Sequence, residues 1–66
     1  MEIILNGEAY LVKRANTVSG LLDELGVKSE LVAVEINMNI IKRADYINKK
    51  INGGDRVEIV NFVGGG

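Results

Sequence analysis

No cysteine and no histidine occurs anywhere in this chain. A small fold built from it has neither a disulfide nor a Cys/His metal clip to hold it, so apolar packing must do so unaided. The material is sufficient. Of the 66 residues 47% are hydrophobic, with Ile, Val and Leu dominating and only two Tyr and one Phe among the aromatics. That content is too high for a disordered chain. The length makes one domain, which buries about 60% of the surface its unfolded form exposes. The missing residue types also restrict chemistry: the commonest general base and all thiolate reactions are absent. Nine acidic residues nearly cancel eight basic ones, and the basic ones are scattered, which argues against a nucleic-acid partner. Met1 to Leu5 has a strand pattern without a basic leader region, and the longest apolar runs fall far short of a membrane span. The expectation is a soluble cytoplasmic protein without membrane partners.

Periodicity sets out the elements. Ile3-Ile4-Leu5 is a short apolar strand followed by Asn6-Gly7, the strongest short hairpin signal, because a type I′ turn needs φ > 0 at both central positions. The return strand runs from Ala9 to Lys13. Asn16 or Thr17 caps a helix in which Val18, Leu21, Leu22 and Leu25 share one face, and Gly26 sits where a left-handed residue ends it. Gly20 weakens this helix by about 1 kcal/mol relative to alanine, and a close approach of helix to sheet would account for it. Leu31 to Ile36 alternates, with Val32, Val34 and Ile36 on one face and Ala33 and Glu35 on the other. Asn37 to Asn39 is a turn and Ile40-Ile41 a short strand. Arg43 to Lys50 is a polar helical turn or loop carrying Tyr46 and Ile47. Asn52-Gly53-Gly54-Asp55 turns into a last strand, Arg56 to Phe62.

The order β-β-α-β-β-β predicts an α+β two-layer domain, a mixed sheet of about four to five strands packed on one main helix. A right-handed crossover through the helix makes its flanking strands parallel. Placing the first and last strands at the sheet centre gives a β-grasp arrangement over residues 1–62.

Residues 63–66 form a separate feature, a flexible tail with Gly64-Gly65-Gly66 directly after the last strand. Glycine contributes no side chain to packing. What such a tail offers is a slim arm of roughly 10 Å, at about 3.3–3.6 Å per residue, with a carboxylate at its tip. A partner can thread it down a channel too narrow for a Cβ. A frayed terminus is the competing reading.

Taken in order, these pieces resemble the ThiS family of ubiquitin-like sulfur carriers. The resemblance is carried by Leu5-Asn6-Gly7-Glu8, Thr17-Val18 with Leu21-Leu22 and Leu25-Gly26, Val32 to Asn37, Ile41 with Arg43, Gly54 to Val60, and Val63-Gly64-Gly65-Gly66. It spans essentially the whole chain. Family members often carry proline where this chain has Lys42. The resemblance implies a ubiquitin-like β-grasp fold and a cycle in thiamin thiazole synthesis. A ThiF-like adenylating enzyme would use ATP and Mg²⁺ to convert the terminal carboxylate to an acyl-adenylate. A cysteine desulfurase system would supply persulfide sulfur to form a thiocarboxylate, and a ThiG-like thiazole synthase would take the sulfur. Gly66 would then carry the sulfur, while Gly65 and Gly64 thread the active-site channel.

The residues agree with a carrier. An α-carboxylate is ionised at neutral pH, with a pKa of about 3.3–3.7, and is a poor electrophile until activated from outside. The chain has no phosphate-cradling loop followed by Lys-Ser/Thr, so no bound cofactor is expected, and no catalytic or metal-binding constellation is evident. Asp23-Glu24 reads as the solvated face of the helix, and Lys42-Arg43 and Lys49-Lys50 as surface charge. If Val57 and Ile59 face the helix, Val60 and Phe62 face away, with Ala33 and Ile4 sharing that outward parity. Phe62, Val60 and Ala33 are therefore the candidate docking patch beside the tail; the competing reading folds Phe62 back as core. Two other functions use the same tail: a MoaD-like carrier supplying molybdopterin synthesis, and a ubiquitin-like protein modifier or interaction module.

Overall fold

The computed structural model describes residues 1–62; the expected tail segment, 63–66, lies outside the described residues. Strand β1 (Glu2–Leu5) and strand β2 (Glu8–Leu11) form the first hairpin. Asn6 and Gly7 sit at φ 48° and 86°, the double left-handed turn that their identities predict. Strand β2 ends two residues short of expectation. Val12 still donates its N–H to Met1 O at 2.8 Å, and Lys13 already belongs to the loop leading into the helix.

Helix α1 (Val18–Leu25) begins at Thr17, whose hydroxyl accepts from Gly20 N–H at 3.1 Å. Two further amides at its start donate to a distant segment, Val18 to Lys49 O and Ser19 to Tyr46 O, each at 2.9 Å. Tertiary contacts thus satisfy amides that the helix itself leaves without partners. Gly26 ends it at φ 72°, and Val27 N–H reaches back to Leu22 O at 2.9 Å, the wrapped C-terminus that a left-handed residue permits. The crowding at Gly20 differs from expectation. A Cβ there would lie 3.3 Å from both Ala15 Cβ and Thr17 Oγ1, so it is the preceding loop that presses on Gly20, not the sheet.

A 3₁₀ turn at Ser29–Leu31 precedes β3 (Val32–Ile36), which pairs with β4 (Asn39–Ile41) through a second hairpin. A 3₁₀ turn at Arg43–Asp45 follows, and strand β5 (Arg56–Asn61) completes the sheet. Lys42, at φ −70°, holds the backbone that a proline would impose. The turn therefore forms without one.

The five strands lie in the order β2-β1-β5-β3-β4. Strands β1 and β5 are parallel neighbours at the centre, and β5 is antiparallel to β3. Strands β2 and β3 therefore run the same way across two intervening strands, as the helical crossover requires. The core lies between sheet and helix: Ile3, Val32, Val34, Ile36 and Val57 from the strands meet Val18, Leu21 and Leu22 from α1. Tyr46 and Ile51 close it from the long connection, and the Tyr46 hydroxyl donates to Val32 O at 3.3 Å. Ile47, beside Tyr46 in sequence, is left exposed.

Candidate functional site

Strand β5 alternates as a sheet-centre strand must. Val57 is fully buried and Ile59 half-buried against the core, while Glu58, Val60 and Phe62 face outward. Val60 and Phe62 are 57% and 56% exposed, so Phe62 does not fold back into the core. Ala33 lies directly across from Val60 on β3 and is half-buried. The structure therefore brings Phe62, Val60 and Ala33 together on the face opposite the helix, at the end of the sheet where the described chain stops. Ile4 shares that face from β1 and is half-buried.

Leu31 joins this group. Phe62 N–H donates to Leu31 O at 2.8 Å, continuing by one step the register that pairs Val32 with Asn61. Leu31 is 52% exposed and has the outward parity of Ala33. A strand read from Leu31 to Ile36 already gives Leu31 the outward parity of Ala33; what the sequence does not supply is the register that sets it beside Phe62. The resulting strip, Leu31-Phe62 beside Ala33-Val60, is apolar. The next pair along, Glu35 opposite Glu58, is not. Like charges set directly across a ladder disfavour one another, and they bound the apolar strip on that side.

Backbone bonds and one side chain fix this end of β5. Its β3 edge is held as far as Phe62. On the β1 edge, Ile59 N–H donates to Asn6 Oδ1 at 2.8 Å, and Asn6 Nδ2 donates to Ile59 O at 3.3 Å. At the opposite end of the strand, Asn37 Oδ1 accepts from Arg56 N–H at 2.9 Å, and its Nδ2 donates to Asp55 Oδ1 at 3.1 Å.

One charged group departs from the sequence reading. Asp23 is exposed as expected, but Glu24 is not part of a solvated face. Its carboxylate accepts from Tyr10 Oη at 2.7 Å and from the amides of Lys13, Arg14 and Ala15 at 2.9, 3.0 and 3.1 Å. The amide bonds from Lys13 and Arg14, then the Tyr10 hydroxyl, lower its pKa to about 2. The same bond, with some burial, raises that of Tyr10. Arg43, by contrast, lies at the surface as expected and donates to Glu30 O at 3.3 Å. Among the described residues no group of three His, Cys, Asp or Glu could hold a metal ion, and no helix is long and apolar enough to cross a membrane. Gly64, Gly65 and Gly66 lie outside the described residues.

The model of the ThiS family matches residues 3–66. The Sulfur carrier protein ThiS of Bacillus subtilis is 36% identical over 63 residues, covering 94% of this chain and 96% of that protein. A protein of Paramagnetospirillum magneticum named Thiazole synthase is 46% identical over 66 residues. The chain spans only 20% of that protein's length, although all of the chain is matched. The crystal structure of the thiamine biosynthesis protein ThiS from Geobacter metallireducens superposes over the whole of both chains, with a TM-score of 0.84 at 35% identity.

Proposed function

Because this chain belongs to the ThiS family, we propose that it is a sulfur carrier of thiamin thiazole synthesis and acts as a co-substrate, not as a catalyst. The observation that carries the reading is that the family match runs from the first strand through Gly66, so that it includes both the folded handle and the glycines. Gly66 is the residue whose carboxylate bears the sulfur. Gly65 and Gly64, lacking Cβ atoms, let it pass down a narrow channel. Leu31, Ala33, Val60 and Phe62 form the docking patch from which the tail departs.

The chemistry needs three displacements. A carboxylate oxygen of Gly66 attacks the α-phosphorus of ATP in the active site of a ThiF-like enzyme, where Mg²⁺ offsets the phosphate charge. The bond to the β-phosphate oxygen breaks and pyrophosphate leaves. A persulfide from a cysteine desulfurase system then attacks the acyl carbon, and AMP leaves with the bonding pair. A thiol cleaves the resulting acyl disulfide, itself becoming oxidised to a disulfide, and frees the thiocarboxylate. This chain has no cysteine, so each of these sulfur atoms comes from a partner. A thiazole synthase is the acceptor. The protein named Thiazole synthase in Paramagnetospirillum magneticum contains a stretch similar to this whole chain. Placing carrier and acceptor on one chain raises their effective concentration.

Intact-mass analysis of the protein from its own host, after treatment with a thiol alkylating reagent, tests the reading. The alkylation is essential, because oxidation of Met1 or Met38 adds nearly the same mass as exchanging oxygen for sulfur. The expected result is a labelled fraction whose label maps to the Gly66 carboxyl. No label in cells that are making thiamin overturns the proposal, and attachment of Gly66 to a lysine of another protein would make the chain a modifier.

A further inference from the structure

The β1–β5 ladder is short. It pairs Ile4 with Arg56 and Leu5 with Val57, Asn6 N–H donates once more to Val57 O at 2.8 Å, and β1 then turns away at Asn6-Gly7. Strand β5 continues to Asn61. Its β3 edge stays paired to the end, through Val60 opposite Ala33 and Phe62 bonded to Leu31. On the β1 edge beyond Val57, the described residues supply a side chain in place of a strand. The Asn6 amide accepts from Ile59 N–H at 2.8 Å and donates to Ile59 O at 3.3 Å. It meets both backbone groups, which in a continued parallel ladder would bond to two residues, the carbonyl of residue 6 and the amide of residue 8. Hydrogen bonding as well as turn geometry therefore selects asparagine here: glycine would satisfy the positive φ and lose both bonds, whereas aspartate would keep the acceptor and lose the donor.

We propose that Asn6 is a positioning residue, whose side chain clamps β5 at Ile59 and so fixes the line along which Val60 and Phe62 are presented. The role rests on the carrier reading above. A strand end held on one edge only opens at little free-energy cost. An opened end spreads the positions of Val60 and Phe62 in the docking patch, and a partner must narrow that spread again on binding. Such a cost falls on recognition of the carrier and leaves the chemical step, which occurs on the partner, unchanged.

The test compares wild type, Asn6→Gly and Asn6→Asp in two measurements. One is amide hydrogen exchange at Ile59, with Leu21, which bonds to Thr17 O inside the helix, as the reference. The other is ATP–pyrophosphate exchange by the adenylating enzyme of the same host, with the carrier concentration varied. For Asn6→Gly, Ile59 should exchange about tenfold faster relative to Leu21, as the loss of one to two net hydrogen bonds implies. The KM for the carrier should rise about tenfold with kcat within about twofold. Asn6→Asp should fall between the two in both measurements, and carries the test by itself if Asn6→Gly does not fold. Faster exchange at Ile59 with an unchanged KM would reduce Asn6 to a structural residue and overturn the proposal, as would unchanged exchange at Ile59. If wild type supports no pyrophosphate exchange at all, the carrier reading fails and this role fails with it.

Discussion

Glu24 is the residue at which local charge and tertiary structure diverge most. Beside Asp23 on a helix it reads as ordinary surface charge, yet its carboxylate gathers three backbone amides and the Tyr10 hydroxyl. No spacing rule announces this, because the amides belong to a loop whose path depends on where β2 ends. The consequence is a pH dependence of stability. The folded-state pKa lies near 2, below the ordinary 4.5. The stabilisation is therefore complete above about 4.5 and disappears as pH falls through about 2. Glu24→Gln should lower the urea midpoint at neutral pH, and the gap between variant and wild type should close as pH approaches 2. A gap that is the same at both pH values would show that the charge of Glu24 contributes nothing to its hold on the loop.

At the scale of the element, β5 divides its labour by parity. Val57 and Ile59 anchor it in the core, while Val60 and Phe62 stand outward among Leu31 and Ala33. A charge placed on the outward side remains in water, so Phe62→Asp should shift stability by no more than about 0.5 kcal/mol. Under the carrier role proposed above it should nevertheless weaken binding to the adenylating enzyme about tenfold or more, as loss of an aromatic anchor does. Calorimetric titration and a thermal melt of the same sample separate the two effects. Unfolding would place Phe62 in the core, and unchanged binding would remove it from the docking patch. Parity along β5 was legible because a half-buried strand enforces a two-residue period. The parity of Leu31 with Ala33 was equally legible, whereas its place beside Phe62 was not, because only the extended β3–β5 register sets the two together.

At the scale of the molecule the described residues share one core, built by the sheet, α1 and the connection that carries Tyr46 and Ile51. A domain of this size has a total stability of about 3–10 kcal/mol, at roughly 0.05–0.15 kcal/mol per residue. Leu21 is 1% exposed, and Leu21→Ala should remove about 2–5 kcal/mol of that. With no second core among the described residues to hold a remnant, the loss should appear as one cooperative urea transition at a much lower midpoint. Two transitions, or a midpoint that barely moves, would contradict a single shared core.

The sequence by itself determined the elements and their facing: the Asn6-Gly7 hairpin, the helix from Thr17 to Gly26, the alternation of Val32 to Ile36, and the buried and outward sides of β5. Each depends on periods of two or 3.6 residues, or on left-handed turn positions, within a few neighbours along the chain. It also carried the order of motifs through Gly66 on which family membership rests. Tertiary structure decided what bridges distant segments. The 53-residue reach from Asn6 to Ile59, the four-fold hold on Glu24 and the pairing of Leu31 with Phe62 all depend on register and loop path. Those are set by how the whole core closes, because a hydrogen bond between remote segments forms only where packing has already brought its partners within about 3 Å.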